Sequence, residues 1–555
     1  MKEFLTELEG SFKGDIETNR DTLELYSHDA SMFELMPKAV VFPRTDEDVE
    51  VLVSLAVKYK KKIPGLSLTG RGAGTDMSGG AINESVIVDF KRYFTAIKAI
   101  DNKKMTSEMQ PGVMFKDLDD QAKKKGVLMP TYPASRDLCT VGGMVNNNAG
   151  GEKSIEFGKV EDFVKELEVV FADGVKRVVK PLNKRELVKK MAQNDFEGKV
   201  YKQTFDLLDK HYDVIQAAKP NVSKDSTGYH LWRVWNRETG IFDLTQLITG
   251  SQGTLGLTTN IKFGMTSARS DEGLLVIFIK DMKNLGKLIE KVVEHKPSRF
   301  ESFDDNTVFL SMKFMPKFLG FLGPIKFIKL LFSLIPEALL LFKGMPRLIL
   351  MVSIKGNSPD EVASKIRTLH EELASDAKQY GISGFEEAPT DRKGEKFWIM
   401  RRYSFQILRS SVKDKHTAPF IDDLIVRPEY MPEFLPKLRK IIKKYKLFAT
   451  IAGHMGDGNF HIIPLMNIQL KGERKKILPA MKEVNNLVLK YGGSLSGEHN
   501  DGLVRGPWLE AMYGKKVLGI MKEIKTIFDK DGMFNPRKKT DADWDYSFSH
   551  IRKEF

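Results

Sequence analysis

The chain has 555 residues, of which 41% are hydrophobic, so it can form a large core and two or three domains. Its single cysteine, Cys139, excludes an internal disulfide and a cysteine-ligated iron–sulfur cluster, and it favours a reducing compartment. The formal charge of +13 comes without a basic tail or a zinc finger, so nucleic acid is a poor partner.

Strand-like and helix-like segments alternate in three sections. The first section, from about Pro37 to Thr266, predicts an α+β fold with a helix over Asp46–Lys60. Its predicted strands are KAVVFP, ESVIVDF, FTAIKAID, ELEVVFADG and LTTNIKF. The second section begins near Asp271 and predicts a sheet covered by helices on one face. Its predicted elements are the strands LLVIFIK, RFESF and RLILMVSI and the helices Met282–His295 and Asp360–Tyr380.

The third section starts near Phe420, and a helix near Lys516–Asp529 is predicted close to its end. It contains IAGHMGDGNFH, in which Asp457-Gly458 is typical of a two-residue hairpin turn. That turn would make His454 and His461 direct cross-strand partners, with Cβ atoms roughly 5 Å apart. Glu498 in SLSGEHNDG adds a carboxylate, and two imidazoles with one carboxylate are the ligands of a catalytic zinc or similar cation. The alternative is a pair of hydrogen-bonded sheet histidines.

An apolar, basic segment runs from Met312 to Arg347. Its cationic residues are Lys313, Lys317, Lys326, Lys329, Lys343 and Arg347. No uncharged run approaches the roughly 18 residues that span a bilayer, and four prolines divide it. The composition fits an element lying on an anionic membrane or a patch for a partner subunit. Buried helices with snorkelling lysines explain it equally well.

Three glycine-rich loops lie in the first section: TGRGAGTDMSGG, TYPASRDLCTVGGMVNNNAGG and ITGSQGTLG. Backbone amides in such loops approach phosphate oxygens closely. None fits the ATP P-loop pattern, and the first is not in dinucleotide G-x-G-x-x-G register. Three loops together indicate a long, flat, phosphate-bearing ligand such as a dinucleotide.

Seven segments carry a family resemblance: PKAVVFPRTDEDV, GRGAGTDMSGGAINESVIVDF, the Pro133–Gly151 loop, GSQGTLG, AGHMGDGNFH, SGEHNDGLVR and FNPRK. In this order they resemble the FAD-linked dehydrogenases of the vanillyl-alcohol oxidase/p-cresol methylhydroxylase superfamily. The D-lactate and D-2-hydroxyglutarate dehydrogenases are most similar, in particular the flavin portion of long enzymes that also carry an iron–sulfur domain. The resemblance covers roughly residues 25–540.

The resemblance implies an α+β fold with a two-subdomain PCMH-type FAD-binding domain and an α/β cap domain with a ferredoxin-like antiparallel sheet. The expected divisions are an N-terminal helical segment (1–36), the FAD-binding domain (37–268), the cap (269–500, with the basic insert at 308–347) and a C-terminal segment returning to the FAD domain (501–555).

The resemblance also implies the cofactor contacts. Those expected in the pyrophosphate cradle are Arg71, Gly72, Ala73, Gly74, Thr75, Ser78 and Gly79. Those expected to line the flavin and the adenine-side wall are Pro133, Ser135, Thr140, Gly142, Gly143, Asn146, Gly250, Gly253, Thr254 and Gly256. Gln252 stands where the family usually has Glu. No histidine lies beside the first glycine loop, so FAD is expected to be non-covalent.

His454, His461 and Glu498 match the family's metal ligands, and His499 matches its catalytic base. Arg401 is expected to bind the substrate carboxylate, and Arg402 is an alternative. The explanation without a functional role is that either arginine is a solvated charge on a helix. The implied reaction is metal-assisted oxidation of a D-2-hydroxy acid to the 2-oxo acid, with the hydride passing to flavin N5. A divalent metal, zinc in the first instance, is expected.

Two departures bear on the substrate. Ile463 and Ile421 stand where the 2-hydroxyglutarate enzymes carry an asparagine and a lysine for the distal carboxylate. An apolar pair would leave a second carboxylate unpaired, which favours a monocarboxylic acid such as D-lactate. The alternatives are a D-2-hydroxyglutarate dehydrogenase, an FAD oxidase or ether-lipid-type synthase of the same fold, and a flavoprotein subunit that only relays electrons.

Electrons are expected to leave through a quinone or an electron-transfer protein, because no nicotinamide fingerprint, haem-attachment pair or cysteine ladder is present. Residues 1–30 lack the apolar core of a signal peptide. We therefore expect a cytoplasmic protein, with peripheral binding to the inner face of the cytoplasmic membrane if the basic insert lies on lipid.

Overall fold

The computed structural model describes residues 1–268, 270–313, 345–390, 393–401 and 415–553, together with 319, 323–325, 327 and 328. Arg402 and most of the segment between Met312 and Arg347 lie outside the described residues, including Lys326 and Lys329. The roles suggested for them stay predictions. None of the described helices is both long enough and apolar enough to span a membrane.

The first part of the chain folds as mixed helix and sheet. Its strands are β1 (Asp15–Glu17), β2 (Ala39–Phe42), β3 (Leu68–Arg71), β4 (Val86–Asp89), β5 (Ile97–Asp101), β6 (Thr106–Met109), β7 (Val127–Leu128), β8 (Val164–Val170), β9 (Lys176–Val179), β10 (Trp235–Asn236), β11 (Ile241–Phe242), β12 (Leu257–Gly264) and β13 (Thr266–Ser267). Its helices are α1 (Lys2–Glu9), α2 (Arg20–Tyr26), α3 (Asp46–Lys60), α4 (Phe115–Lys124), α5 (Val141–Asn147), α6 (Ser154–Phe157), α7 (Lys184–Met191), α8 (Phe196–Lys210), α9 (Tyr212–Ala217) and α10 (Thr245–Ile248).

Two sheets form the framework of this part. The first has strand order β1-β2-β4-β3, in which β2, β4 and β3 are parallel. The second is antiparallel with order β5-β6-β12-β8-β9. Helix α3 buries Leu52 and Ala56 in the same apolar core as Val88 of the first sheet and Leu257 of the second. The two sheets therefore share one core, which positions the glycine-rich loops that leave their strands.

The second part is organised around one large sheet. Its strands are β14 (Asp271–Ile279), β15 (Arg299–Asp304), β16 (Leu348–Gly356), β17 (Ile382–Ala388), β18 (His416–Thr417), β19 (Leu424–Ile425), β20 (Phe448–His454) and β21 (Asn459–Met466). Its helices are α11 (Leu285–Glu294), α12 (Asp305–Lys313), α13 (Pro359–Ser375), α14 (Met431–Lys444), α15 (Lys471–Arg474), α16 (Ile477–Lys490), α17 (Gly502–Arg505), α18 (Leu509–Phe528) and α19 (Trp544–Ser549).

This sheet is antiparallel, with order β17-β14-β16-β15-β20-β21-β18 and with β19 also paired to β21. Alternating apolar residues of β14 and β16 pack on helices α11 and α13, so Leu275, Ile277, Leu350, Leu288 and Ile366 share one core. The mixed fold class with an antiparallel cap sheet, expected from the sequence, is confirmed.

The chain after the cap sheet returns to the first part. Lys525 of α18 is buried and donates to the carbonyl oxygen of Thr254 at 2.7 Å. Asn535 donates from Nδ2 to the carbonyl oxygens of Gly80 at 2.8 Å and Gln252 at 2.7 Å. The FNPRK segment thus fixes the first and third glycine-rich loops against each other.

Candidate functional site

A cavity of about 790 Å³ lies between the glycine-rich loops and one face of the cap sheet. Its wall includes both the first loop and the histidines of the cap. The residues predicted to bind the cofactor that line it are Arg71, Gly72, Ala73, Gly74, Thr75, Pro133, Ser135, Thr140, Gly142, Gly143, Asn146, Gly253 and Gly256.

The first glycine-rich loop begins where parallel strand β3 ends. Within residues 1–268, the backbone N–H groups of 72–77 donate no hydrogen bond to the protein. Gly74 has φ +69, a left-handed conformation that suits glycine. Unpaired amides around a cavity are costly unless a ligand accepts from them, and successive amides form an anion-binding concavity. This loop therefore fits the pyrophosphate of a dinucleotide such as FAD.

The second loop leads into α5. Thr140 caps this helix, because its Oγ1 accepts a hydrogen bond from the Gly143 N–H at 3.2 Å. A Cβ on Gly142 would lie 2.4 Å from the Cβ of Pro111, so only glycine fits there. The loop backbone is thereby held close to the cavity, which suits a flat ring lying against it.

Four of the predicted cofactor contacts lie behind the cavity wall, namely Ser78, Gly79, Gly250 and Thr254. Thr254 Oγ1 is hydrogen-bonded to the Tyr229 hydroxyl at 2.7 Å. Gly250 has φ +79 and leaves only 2.9 Å between its ideal Cβ and Asn148. They shape the loops from the far side.

Gln252 joins three segments of this wall. Its Nε2 donates to Ser78 Oγ at 3.0 Å and to Asn147 Oδ1 at 3.3 Å, and its Oε1 accepts from the Gly502 N–H at 2.8 Å. The amide thus links the first loop, the second loop and the start of α17. This gives a physical role to the residue that departs from the family's usual glutamate.

The histidine hairpin is present, but its predicted register is wrong. His454 pairs with Asn459 and His461 pairs with Ala452, because the turn takes in a 3-10 helix at Met455–Asp457 before Gly458. Gly458 has φ +72 and closes the turn. The register differs by two residues from the one expected for a two-residue turn. A two-residue shift keeps side chains on the same face, so both histidines still point to one side of the sheet.

Three donor atoms converge in the cavity. His454 Nε2 and His461 Nε2 each lie 3.3 Å from Glu498 Oε1. Ligands about 2.0–2.1 Å from a tetrahedral zinc are about 3.4 Å apart, so these separations suit a shared cation. A second possible donor set, Asp423, His461, Glu498 and His499, has ligand atoms within 4.8 Å of one another and does not include His454. The residues present therefore fit a divalent metal.

Each histidine is held by a carboxylate at its other ring nitrogen. His454 Nδ1 lies 2.5 Å from Glu301 Oε1, and His461 Nδ1 lies 3.2 Å from Asp422 Oδ1. Burial lowers the pKa of His461, but Asp422 and Glu498 outweigh burial and raise its pKa to about 10. Without a metal, protons on the histidines balance the negative charge of these carboxylates. A bound cation would replace those protons. A carboxylate behind a histidine is the usual outer shell of a metal ligand.

Lys224 lies behind Glu498. Its Nζ donates to Glu498 Oε2 at 2.8 Å and lies 3.6 Å from Asp457 Oδ2, with all three side chains almost fully buried. Burial raises the pKa of Glu498, but Lys224 and His454 outweigh burial and lower that pKa well below its usual range. Glu498 is therefore ionised, with Oε1 directed at the histidines.

His499 is placed by two adjacent aspartates. Its Nδ1 lies 2.8 Å from Asp422 Oδ2, and its backbone N–H donates to Asp423 Oδ2 at 2.7 Å. Its ring stacks on His461 with centroids 4.9 Å apart. Burial lowers the pKa of His499, while Asp423 and Asp422 raise it above its usual value overall. With Nδ1 against a carboxylate, Nε2 is the nitrogen suited to proton transfer with a ligand.

Arg401 lies in the described helical stretch 393–401 and lines the same cavity. Its Nη2 donates to Glu301 Oε2 at 3.1 Å. The arginine is thus tied to the carboxylate that also holds His454. This position suits the binding of a substrate carboxylate beside the histidines.

The sequence interpretation missed four buried charged residues of this site: Lys224, Glu301, Asp422 and Asp423. Glu301 was visible as a lone carboxylate inside the apolar strand RFESF, and Asp422-Asp423 as an acidic pair inside FIDDLIV. Such residues are rarely buried without partners. Their partners come from distant segments, which the sequence order did not reveal.

Comparisons with known proteins agree with this geometry. Residues 37–179 match the model of the FAD binding domain, and residues 269–539 match FAD linked oxidases, C-terminal domain. A D-2-hydroxyglutarate dehydrogenase of Escherichia coli (strain K12) is 27% identical over 545 residues, covering 96% of this chain and 51% of the relative. A D-lactate dehydrogenase of Archaeoglobus fulgidus is 25% identical over 502 residues, covering 90% of each chain.

The chain spans about half the length of the first four curated relatives that it matches. Among solved structures, p-cresol methylhydroxylase with substrate bound superposes with a TM-score of 0.66 at 13% identity, covering 98% of this chain and 97% of that one. This likeness concerns the fold.

The cavity, the free loop amides and the fold together define a flavoprotein of the PCMH type. The two domain models cover about three quarters of the chain. The chain contains an FAD binding domain and the C-terminal domain of FAD linked oxidases, as the resemblance indicated, and its curated relatives include 2-hydroxy acid dehydrogenases.

Proposed function

We propose that this protein is an FAD-dependent D-2-hydroxy acid dehydrogenase that uses a divalent metal, with zinc as the expected ion. The observation that carries the proposal is that His454 Nε2 and His461 Nε2 each lie 3.3 Å from Glu498 Oε1, in the same cavity as the glycine-rich loops. A redox cofactor and an electrophilic cation side by side suit the oxidation of an alcohol next to a carboxylate.

FAD, when bound, would supply the hydride acceptor, and non-covalent binding is expected. In this proposal the protein groups do the rest. His454, His461 and Glu498 would hold a divalent cation, which would supply Lewis-acid activation of the substrate hydroxyl. Arg401 binds the carboxylate as a charge-assisted pair and fixes its orientation. His499 takes the hydroxyl proton at Nε2, while Asp422 keeps the proton of Nδ1 in place.

We propose a monocarboxylic substrate, with D-lactate favoured. Beyond the histidines, the same face of the sheet presents Ala452 and then the cross-strand pair Thr450 and Ile463, and all three line the cavity. Among the residues that the structure describes, this apolar and hydroxyl wall gives a second carboxylate no charged partner, so a dicarboxylate loses solvation there. The names of several relatives favour D-2-hydroxyglutarate as the alternative.

The deciding experiment is anaerobic reduction of the bound flavin by a panel of D- and L-2-hydroxy acids without NAD. We expect bleaching by D-lactate at a rate at least tenfold above that with L-lactate and D-2-hydroxyglutarate. Reduction by D-2-hydroxyglutarate alone would transfer the proposal to the alternative substrate. Stoichiometric peroxide in air would favour an oxidase, and reduction by none of the acids would reject the dehydrogenase.

We further propose that a quinone or an electron-transfer protein reoxidises the flavin, and that the segment from Met312 to Arg347 binds an anionic membrane. Its support is compositional, since clustered lysines among apolar residues bind anionic lipid with an affinity that falls as salt rises. Lys326→Glu with Lys329→Glu should weaken binding to anionic vesicles and leave flavin reduction intact. Failure of the native protein to bind such vesicles at low salt would favour a protein acceptor.

A further inference from the structure

Glu301 contacts two functional side chains with its two carboxylate oxygens. Oε1 lies 2.5 Å from His454 Nδ1, and Oε2 accepts from Arg401 Nη2 at 3.1 Å. Glu301 is 1% exposed. This buried carboxylate bridges a metal-ligand candidate and the arginine expected to bind substrate.

The sheet register fixes the first of these contacts. Glu301 of β15 and His454 of β20 are direct cross-strand partners in the antiparallel sheet. Side chains at such positions leave the same face with Cβ atoms about 4.5–5.5 Å apart. The contact is therefore set by the framework of the cap.

A carboxylate at His454 Nδ1 decides which ring nitrogen carries the proton. Because a carboxylate only accepts, Nδ1 must donate, and Nε2 is left as the nitrogen that faces Glu498 Oε1 at 3.3 Å. A metal requires this tautomer, since it binds the nitrogen lone pair. Glu301 thus prepares His454 for a cation.

The second contact orients the arginine. Arg401 comes from the helical stretch 393–401, on a different element from β15 and β20. A guanidinium has five donors in a fixed plane, enough to bind Glu301 and a second carboxylate together. With Nη2 held at 3.1 Å by Glu301, the plane of Arg401 is set relative to His454.

We infer that Glu301 is a positioning residue that couples the cation site to the substrate-binding arginine, so that a metal ion and a 2-oxo or 2-hydroxy carboxylate bind cooperatively. The inference deepens the proposed function and rests on it. Coupling of this kind is reciprocal, so each ligand should raise the affinity for the other by the same factor.

Glu301→Gln is the sharp test, because an amide offers one acceptor where the carboxylate offers two. If the amide oxygen faces His454, the NH2 group faces Arg401 and displaces it. If the oxygen faces Arg401, the NH2 group faces His454 Nδ1 and forces the proton onto Nε2, where the metal should bind. The substitution keeps the size of the side chain and still cannot satisfy both partners.

Zinc affinity is to be measured by competition with a chromogenic chelator, on the FAD-loaded protein. Pyruvate affinity is to be measured by the change in flavin absorbance, with and without zinc. For the native protein we expect zinc to tighten pyruvate binding, and pyruvate to tighten zinc binding, by one common factor. For Glu301→Gln we expect zinc affinity to fall about 10- to 100-fold, the usual effect of losing an outer-shell partner, and the common factor to fall about threefold or more below its native size, with the direct attraction between cation and carboxylate left in place.

Glu272→Gln is the matched control, because Glu272 is a mostly buried carboxylate on the adjacent part of the same sheet and pairs with Arg299 at 2.7 Å. It should keep native zinc affinity and native coupling. Arg401→Lys is a second variant that leaves Glu301 and all three ligand candidates intact. It should lower the coupling by a factor similar to that in Glu301→Gln while zinc affinity without pyruvate stays native, so the test does not depend on the folding of Glu301→Gln.

Zinc affinity within twofold of native in Glu301→Gln, or coupling of native size in Arg401→Lys, overturns the inference. Failure of the proposed function has a different signature, since the native protein itself would then show no zinc binding or no reduction by any D-2-hydroxy acid.

Discussion

Lys224 Nζ lies 2.8 Å from Glu498 Oε2, and both side chains are almost fully buried. The pair joins the first part of the chain to the loop that follows α16. Removing one partner of a buried ion pair leaves an uncompensated charge and costs roughly 3–5 kcal/mol. Because Glu498 also faces the candidate metal ligands, a bound cation would supply the missing positive charge.

We therefore expect Lys224→Met to lower the unfolding midpoint of the metal-free protein and to make zinc stabilise the variant more than it stabilises the native protein. Urea unfolding with zinc and with a chelator measures both effects. Lys525→Met is the control. Lys525 forms a buried ion pair with Asp529, with 2.5 Å between Nζ and Oδ2, and this pair lies away from the histidines. A zinc-dependent gain of equal size in all three proteins would contradict a cation at Glu498.

Removing a predicted ligand should remove the metal. His461→Ala deletes one of the two nitrogens that face Glu498 Oε1 at 3.3 Å. We expect metal analysis of the purified protein to give about one equivalent for the native chain and less than a tenth of that for the variant. His295→Ala is the control, because His295 lies on the surface of the cap and contacts Glu372. Equal metal content in His461→Ala and the native protein would argue strongly against the site.

The sequence predicted the bounds of one helix and overextended another. Helix α3 was predicted as Asp46–Lys60 and has those bounds, because Thr45 and Asp48 form a capping box at its start. The predicted end of α13 was Tyr380, but the helix ends at Ser375. The residues from Asp376 to Tyr380 include no glycine or proline, and the first stop signal is Gly381, so the sequence does not mark the observed boundary.

The candidate site was predicted in part, for a physical reason. His454, His461, Glu498 and His499 lie in short motifs with glycine and a turn, which local patterns reveal. The hairpin register was wrong because Asp457-Gly458 suggested a two-residue turn, whereas the 3-10 helix at Met455–Asp457 also belongs to it. Glu301 reaches its partner through strand pairing between distant segments, which a single sequence does not encode locally.

His499 is expected to act as the base. His499→Ala should slow flavin reduction by the 2-hydroxy acid by about 10²-fold or more, the usual contribution of a positioned base. FAD and metal contents should stay at native values, because neither the cradle loop nor the Glu498 pair depends on the imidazole. Stopped-flow reduction under anaerobic conditions gives the rate, and a near-native rate would place proton abstraction on another group.

Gln252 is expected to control cofactor retention. Gln252→Leu removes the bonds to Ser78, Asn147 and the Gly502 N–H, which are 3.0, 3.3 and 2.8 Å long. A lost buried hydrogen bond costs about 1–3 kcal/mol, so the FAD dissociation constant should rise about tenfold or more. Gln252→Glu keeps the acceptor for the Gly502 N–H but loses the donor to Ser78, whose hydroxyl already donates to Asp76, and to Asn147, so its FAD dissociation constant should rise less than that of Gln252→Leu, which loses all three bonds. Equal FAD affinities in both variants would show that Gln252 does not support the cofactor-binding loops.

Asp304 should make stability depend on pH. Its side chain is buried, and burial raises the pKa of its carboxyl from 3.8 to about 6, against the hydrogen bonds from Thr307. A folded-state pKa above the unfolded value gives stability that is present below pH 3.8 and is lost as pH rises through about 6. Asp304→Asn removes this titration. Relative to the native protein, the free energy of unfolding of the variant should therefore rise by about 1–2 kcal/mol between pH 5 and pH 8. Urea unfolding at both pH values measures the change, with Asp305→Asn on the neighbouring, more exposed carboxyl as the control. A constant difference between Asp304→Asn and the native protein would mean that Asp304 is ionised throughout.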